Sequence, residues 1–170
     1  MKKEVVFDSS SLILMAKIGV LDKVIKYLQK ITITEQISNE STIAKDTFDA
    51  KIIKKRIEEK AIKKKSIKDF NLYQKIRDDF NLGKGEAETI AFCFENKTGL
   101  VTDDKKAMHA CRILKIKFTT MPNLLIRLHK KDLINAAEAE IYFKKLENFG
   151  RYSNEILQKY REDLKNEKNG

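Results

Sequence analysis

The sequence predicts an α/β domain, a parallel sheet with helices packed on it. Short β-branched or aromatic runs alternate with segments of helical spacing along the chain, the pattern of strands joined by crossover helices. Four acids, Asp8, Glu40, Glu86 and Asp103, each stand near the end of an apolar segment or the start of a helix, where open parallel sheets place their ligands. The length of 170 residues at 42% hydrophobic composition allows one sizeable core and is short for two independent domains.

The segment from Glu4 to Asp8 reads as a buried first strand with its polar end at Asp8. Ser9, Ser10 and Ser11 offer caps for the helix that follows through Leu12 to Ala16, and Gly19 breaks it from a second helix with Leu21, Val24, Ile25 and Leu28 on one face. Ile31 to Thr34 alternates β-branched residues and predicts the second strand, with Ser38, Asn39 and Glu40 near the next helix start. Between Lys51 and Lys65, Ile53, Ile57 and Ala61 recur every four residues among Lys, Arg and Glu, which predicts one long amphipathic helix with a basic outer face. Ser66 to Leu72 fits a brief strand and an irregular connection equally.

Leu82 to Gly85 is a turn that opens onto a helix with Ala87, Ile90, Ala91 and Phe94 at helical spacing, Glu86 in its first turn and Gly99 at its end. Leu100 to Thr102 predicts a short strand delivering Asp103 and Asp104, and Ala107, Cys111 and Leu114 mark the next helix. A last strand is expected around Lys117 to Thr120, before Pro122 at a helix start.

Lys and Arg outnumber Asp and Glu by 35 to 25, a formal charge of +10 that favours a polyanion such as nucleic acid. Cys93 and Cys111 form no CxxC pair and read as reduced, buried thiols. The opening MKKEVVFD turns polar too early for a signal peptide and no apolar run nears the roughly 20 residues that span a bilayer, so a cytoplasmic location is expected. His109 and His129 lie in helical patterns without a second His or Cys nearby and receive no catalytic role.

Gathered carboxylates without basic partners repel one another, which points to a divalent cation. Mg²⁺ and Mn²⁺ prefer oxygen ligands, and no His or Cys cluster competes as a zinc site. Each acid also has a plain alternative: Asp8 as a helix N-cap, Glu40 and Glu86 as first-turn acids favoured by the helix dipole. A haloacid-dehalogenase phosphatase would carry a second Asp where Ser10 stands, and a response-regulator receiver needs an acidic order the chain lacks.

VVFDSSSLILMAKIG resembles the opening of a PIN domain, and ITEQISNE, LGKGEAETIAFCFE and LVTDDKKAMHACRILKI resemble its second, third and fourth motifs. The tail LINAAEAEIYFKKLENFGRYSNEIL resembles the C-terminal helices of a bacterial and archaeal PIN-like, VapC-type subfamily, although Phe149-Gly150-Arg151 departs from the usual order of that turn. The resemblance implies a three-layer α/β/α fold with a central parallel sheet of about four or five strands. It implies a nuclease core over residues 1–128 and a helical extension over 129–170 packed on the same domain.

The implied activity is Mg²⁺- or Mn²⁺-dependent endoribonuclease hydrolysis of RNA, with DNA the lesser candidate, in the manner of a toxin held by an antitoxin protein. A non-catalytic PIN-like scaffold that binds nucleic acid or protein is the alternative. Asp8, Glu86, Asp103 and Asp104 are the implied metal ligands and Glu40 completes the catalytic set through a water, with Ser10, Glu88 and Thr102 in support. Asp103 and Asp104 both fit the last motif. A homodimer is expected, with the apolar faces of Leu12 to Met15 and Leu21 to Leu28 available for it.

Overall fold

The computed structural model describes residues 4–44, 46–149 and 152–166. Five strands form one sheet: β1 (Val5–Phe7), β2 (Ile31–Thr34), β3 (Ile62–Lys65), β4 (Gly99–Val101) and β5 (Phe118–Thr119). All neighbours pair in parallel, in the order β3-β2-β1-β4-β5. The chain thus builds outward from β1 through β2 to β3, then crosses to the other side for β4 and β5. That reversal puts a topological switch point between β1 and β4, where open α/β sheets bind ligands.

Successive side chains of a strand point to opposite faces, and the central strands show it. Val6 and Leu100 enter one apolar cluster, while Phe7 and Val101 enter the other. A strand buried on both faces needs helices on both. In chain order the described helices are α1 (Ser9–Ile18), α2 (Leu21–Leu28), α3 (Glu35–Thr42), α4 (Phe48–Glu58), α5 (Phe70–Phe80), α6 (Lys84–Asn96), α7 (Lys105–Ile113), α8 (Met121–Lys130), α9 (Ala136–Phe149) and α10 (Asn154–Asn166). Helices α5, α6 and α7 supply the Val6 cluster through Tyr73, Ile76, Ile90, Ala91, Ala107 and Cys111. The Phe7 cluster takes its residues from the remaining helices, including Phe143 and Leu146 of α9 and Leu157 of α10. Three layers result, and the C-terminal helices share the core of β1.

Local chemistry explains most boundaries. Gly19, at φ 81° in the left-handed region that glycine tolerates, closes α1 and lets α2 start two residues on. Pro122 sits in the first turn of α8, where its missing N–H costs nothing. Cys93 and Cys111 are buried free thiols, and burial pushes each up to about 12. His129 is buried at the end of α8 with Nδ1 3.0 Å from the Ile134 carbonyl, while His109 is exposed and meets the edge of Phe80.

Several expectations change. The helix read over Lys51 to Lys65 ends at Glu58. Lys60 then takes φ 59° and the chain enters β3, with Ile62 buried and Lys63, Lys64 and Lys65 exposed. A lysine-rich strand is a common way to blunt a sheet edge against pairing, and its charges hide the strand from a search for apolar alternation. The basic face of α4 is also partly neutralised, since Lys54 and Lys55 reach Glu58 and Glu59, and Arg56 binds Asp22 at 2.6 Å. Residues 66–69 are irregular, and Asp69 caps α5 by accepting the Leu72 N–H at 2.9 Å. Helix α6 ends at Asn96 with Lys97 as its left-handed cap, so Gly99 opens β4 instead of closing the helix. The faces suggested for dimerisation are largely spent within the chain, with Leu12, Met15, Leu21 and Val24 almost fully buried. Gly150 and Arg151, in the unusual turn, lie outside the described residues.

Candidate active site

Strands β1 and β4 end side by side at the switch point and present Asp8 on one and Thr102, Asp103 and Asp104 on the other. Asp8 is 4% exposed. It caps α1, its Oδ1 accepting the Ser11 N–H at 2.7 Å. Burial raises its pKa; hydrogen bonds from Thr102 and Ser11 pull it down, and the Asp104 carboxylate pushes it up again. Fully buried Thr102 thus serves two acids, hydrogen-bonding Asp8 while its Oγ1 accepts the Asp104 N–H at 3.1 Å. Thr102→Val keeps the shape and removes both bonds. It should cost about 1–3 kcal/mol in chemical denaturation, with an unchanged denaturant slope marking a local effect.

Glu86 arrives from the other side, in the first turn of α6, where its Oε2 accepts the Gly83 N–H at 3.0 Å. Its carboxyl is pushed up chiefly by burial and then by Asp104, Asp8 and Glu40, against the Gly83 bond. Acids from β1, α3, α6 and the start of α7 therefore act on one another across the end of the sheet. Glu40 lies in the second turn of α3, not at its start, and takes the Gln36 Nε2 donor at 3.1 Å. Its carboxylate rests against the α6 backbone: a Cβ on Gly85 would lie 2.6 Å from Oε1 and 2.8 Å from Oε2. A side chain at that position would push the Glu40 carboxylate out of its place.

The paired aspartates face different neighbours. Asp104 caps α7 through the Ala107 N–H at 2.8 Å, and its charge raises Asp8 and Glu86. Asp103 turns toward the start of α8, where Oδ1 accepts the Met121 N–H at 3.1 Å, and toward Tyr152. Glu88 ties α6 to α3 by accepting the Gln36 N–H at 3.0 Å. Ser10 is exposed beside the acids. Asp8, Glu86 and Asp104 thus combine helix capping with mutual repulsion.

A cleft of about 270 Å³ adjoins these acids, lined by Ser10, Ile13, Leu14 and Lys17 of α1, Asp103, Asp104, Phe149 and Tyr152. Tyr152 carries no motif, and only the return of the C-terminal helices to α1 brings it here. Burial first, then Asp103, push its phenol well above the ordinary range, so it stays protonated.

The donors are carboxylate oxygens, and burial together with other carboxylates raises both Asp8 and Glu86. That chemistry fits a hard divalent ion. No three His, Cys, Asp or Glu side chains among the described residues converge closely enough to chelate one ion as they stand. Mg²⁺ needs no such cage, since it keeps several waters and is commonly held by one or two carboxylates. No described helix is long and apolar enough to cross a membrane.

Comparison with known proteins agrees with the architecture. PAE2754 from Pyrobaculum aerophilum, a crystal structure, superposes with a TM-score of 0.57 at 19% identity, covering 76% of this chain and 99% of that one. At that identity the likeness speaks for the fold. No curated protein matches the chain. Residues 4–166 match the family DUF3368, described as a PIN domain. With a match over nearly its whole length, the chain belongs to this PIN domain family, and PIN domains are generally nucleases that use divalent metals.

Proposed function

We propose that the protein is a Mg²⁺- or Mn²⁺-dependent endoribonuclease. The observation that carries the reading is the set of mutually repelling acids at the switch point, Asp8, Glu40, Glu86 and Asp104, where burial and neighbouring carboxylates hold Asp8 and Glu86 above the ordinary range. Asp8, Glu86 and Asp104 would hold the ion directly or through water, Glu40 would position a water, and Asp103 would support from the α8 side. A bound divalent ion supplies Lewis acidity toward water and the scissile phosphate. The chain's own part is to fix the carboxylates, through Thr102 under Asp8, the Gly83 N–H on Glu86 and Gln36 on Glu40. The net charge of +10 draws a polyanion toward acids that alone would repel it. The reading extends to a cytoplasmic toxin restrained by an antitoxin protein, and to a homodimer formed by a surface other than the buried faces of α1 and α2.

One observation favours a second reading, a scaffold that binds nucleic acid without cutting it. Asp8, Glu86 and Asp104 each satisfy the N–H groups of a helix start, so each has a structural reason to be acidic. Cleavage of matched end-labelled RNA and DNA, with Mn²⁺ or with EDTA, separates the two. Asp104→Asn keeps the cap, since Asn caps as well as Asp, and should slow RNA cutting roughly 10–100-fold or more. Asp103→Asn should slow it less. The reverse order would move the ligand to Asp103, and no cutting by the folded parent protein would leave the scaffold.

A further inference from the structure

We propose that a second cleft, at the end of the sheet away from the acids, binds a small organic anion with an apolar, ring-sized body and a multiply charged head such as a phosphate. All five strands run in parallel, so the starts of β1 and β4 lie together at the end opposite Asp8 and Asp104. There Val5 and Gly99 border a cleft of about 610 Å³, against about 270 Å³ for the cleft beside the acids. Small-molecule sites typically measure about 300–1,000 Å³ and are mostly apolar, with a few polar groups that fix the ligand. The apolar lining here comes from Val5, from Cys93 and Phe94 of α6, and from Leu114 and Ile116 between α7 and β5. Phe94 is 46% exposed, although Ala91, Phe92 and Cys93 just before it are buried. A ring so exposed contributes little to the core and is available to a ligand.

Cations surround this apolar surface. Lys97, Lys115, Lys117 and Arg127 line the cleft, all four are exposed, and none makes an ion pair among the described residues. Glu4, the acid among the described lining residues, is already taken by Lys65 at 2.7 Å and by the Thr32 hydroxyl. Helix C-termini gather at this end of a parallel sheet, and their dipoles favour a cation at each. That accounts in part for Lys97, Lys115 and Arg127, which stand in or just after the last turns of α6, α7 and α8. It does not account for their backbone or for the surface between them. Lys97 and Lys115 hold φ 52° and 56°, in the left-handed region where glycine or asparagine is the easier residue. The chain thus keeps a long cationic side chain at both turns against a backbone preference. A neutral apolar compound would leave these charges unmatched, and a bare anion would leave the apolar lining wet. An anion with an apolar body answers both.

The test is isothermal titration calorimetry of the full chain, in EDTA, with 2-naphthyl phosphate, 2-naphthol and inorganic phosphate as probes. The phosphate ester should bind at least about tenfold more tightly than either of the others. Lys117→Gln combined with Arg127→Gln should weaken the ester about tenfold and leave 2-naphthol unchanged. Phe94→Ser should weaken both aromatic probes and leave inorganic phosphate unchanged. The three side chains are exposed, so both variants should melt with the parent. No binding of the ester, equal affinity for the three probes, or ester binding that neither variant changes would overturn the proposal. Loss of single-stranded RNA binding in the Lys117 and Arg127 variant, with the ester unaffected, would give the cations to a nucleic-acid backbone and also overturn it. So would loss of a dimer in Phe94→Ser with the ester unaffected, which would give the cleft to a second copy of the chain. The result is independent of the nuclease reading, which concerns the other end of the sheet.

Discussion

Asp8→Asn is expected to melt higher than the parent protein in EDTA and to gain nothing when Mn²⁺ is added. Asp8 is 4% exposed, and its pKa lies above the ordinary 3.8 because burial and the Asp104 carboxylate disfavour its charge. The folded state thus holds the proton more tightly than the unfolded chain. Stability from this linkage is complete below about pH 3.8 and is lost as pH rises through the raised folded value. At neutral pH the carboxylate is a burden that Asn removes, and the α1 cap survives because Asn also accepts the Ser11 N–H. In the parent protein a bound ion relieves the burden. At a metal concentration about 100 times its Kd, binding adds about 2.7 kcal/mol, worth about 5–10 °C for a domain of this size. Differential scanning calorimetry of both proteins, with and without Mn²⁺, checks all four values. A lower melting temperature for Asp8→Asn in EDTA would mean that the acid serves the fold alone.

Gly85→Ala should separate stability from function in the opposite sense. Alanine in a helix is favoured over glycine by roughly 0.5–1 kcal/mol, and Gly85 lies inside α6 without a positive φ. The three atoms nearest the added Cβ all belong to the carboxylate of Glu40, its oxygens at 2.6 and 2.8 Å. That group is the far end of a flexible side chain, so it moves aside and the backbone stays. The variant should be as stable as the parent or slightly more so, while RNA cleavage falls roughly 10–100-fold, the effect of disturbing a supporting carboxylate at a metal site. Glu40→Gln should fall by a similar factor, and the double variant no further, because both changes remove one placement. Unchanged cleavage in a stable Gly85→Ala protein would take Glu40 out of the site.

The sheet's central strands were legible because burial on both faces writes itself as short apolar runs, as in VVF and in Leu100 and Val101 before their acids. Strand β3 was not, since an edge strand of one isoleucine and three lysines has no apolar alternation and follows a true helix of similar composition. Helix α5 escaped for a related reason, its deeply buried contribution resting on little more than Tyr73 and Ile76. The acids were legible from position, one at the end of each central strand and one at the start of α6. Which of Asp103 and Asp104 faces Asp8 was not, because adjacent residues leaving a strand point to different neighbours. The close approach of Glu40 to Gly85, and the meeting of Tyr152 with α1, join segments far apart in the chain and leave no mark in local spacing.

The central claim is that these acids hold a divalent ion to cut RNA. Its most direct test is cleavage of an end-labelled RNA pool by purified protein with Mn²⁺ or Mg²⁺, against EDTA and against Asp8→Asn whose fold is verified by circular dichroism. The account predicts cutting that requires the metal and drops at least roughly 100-fold in the variant. Cutting that persists in EDTA, or in folded Asp8→Asn at the parent rate, would contradict it.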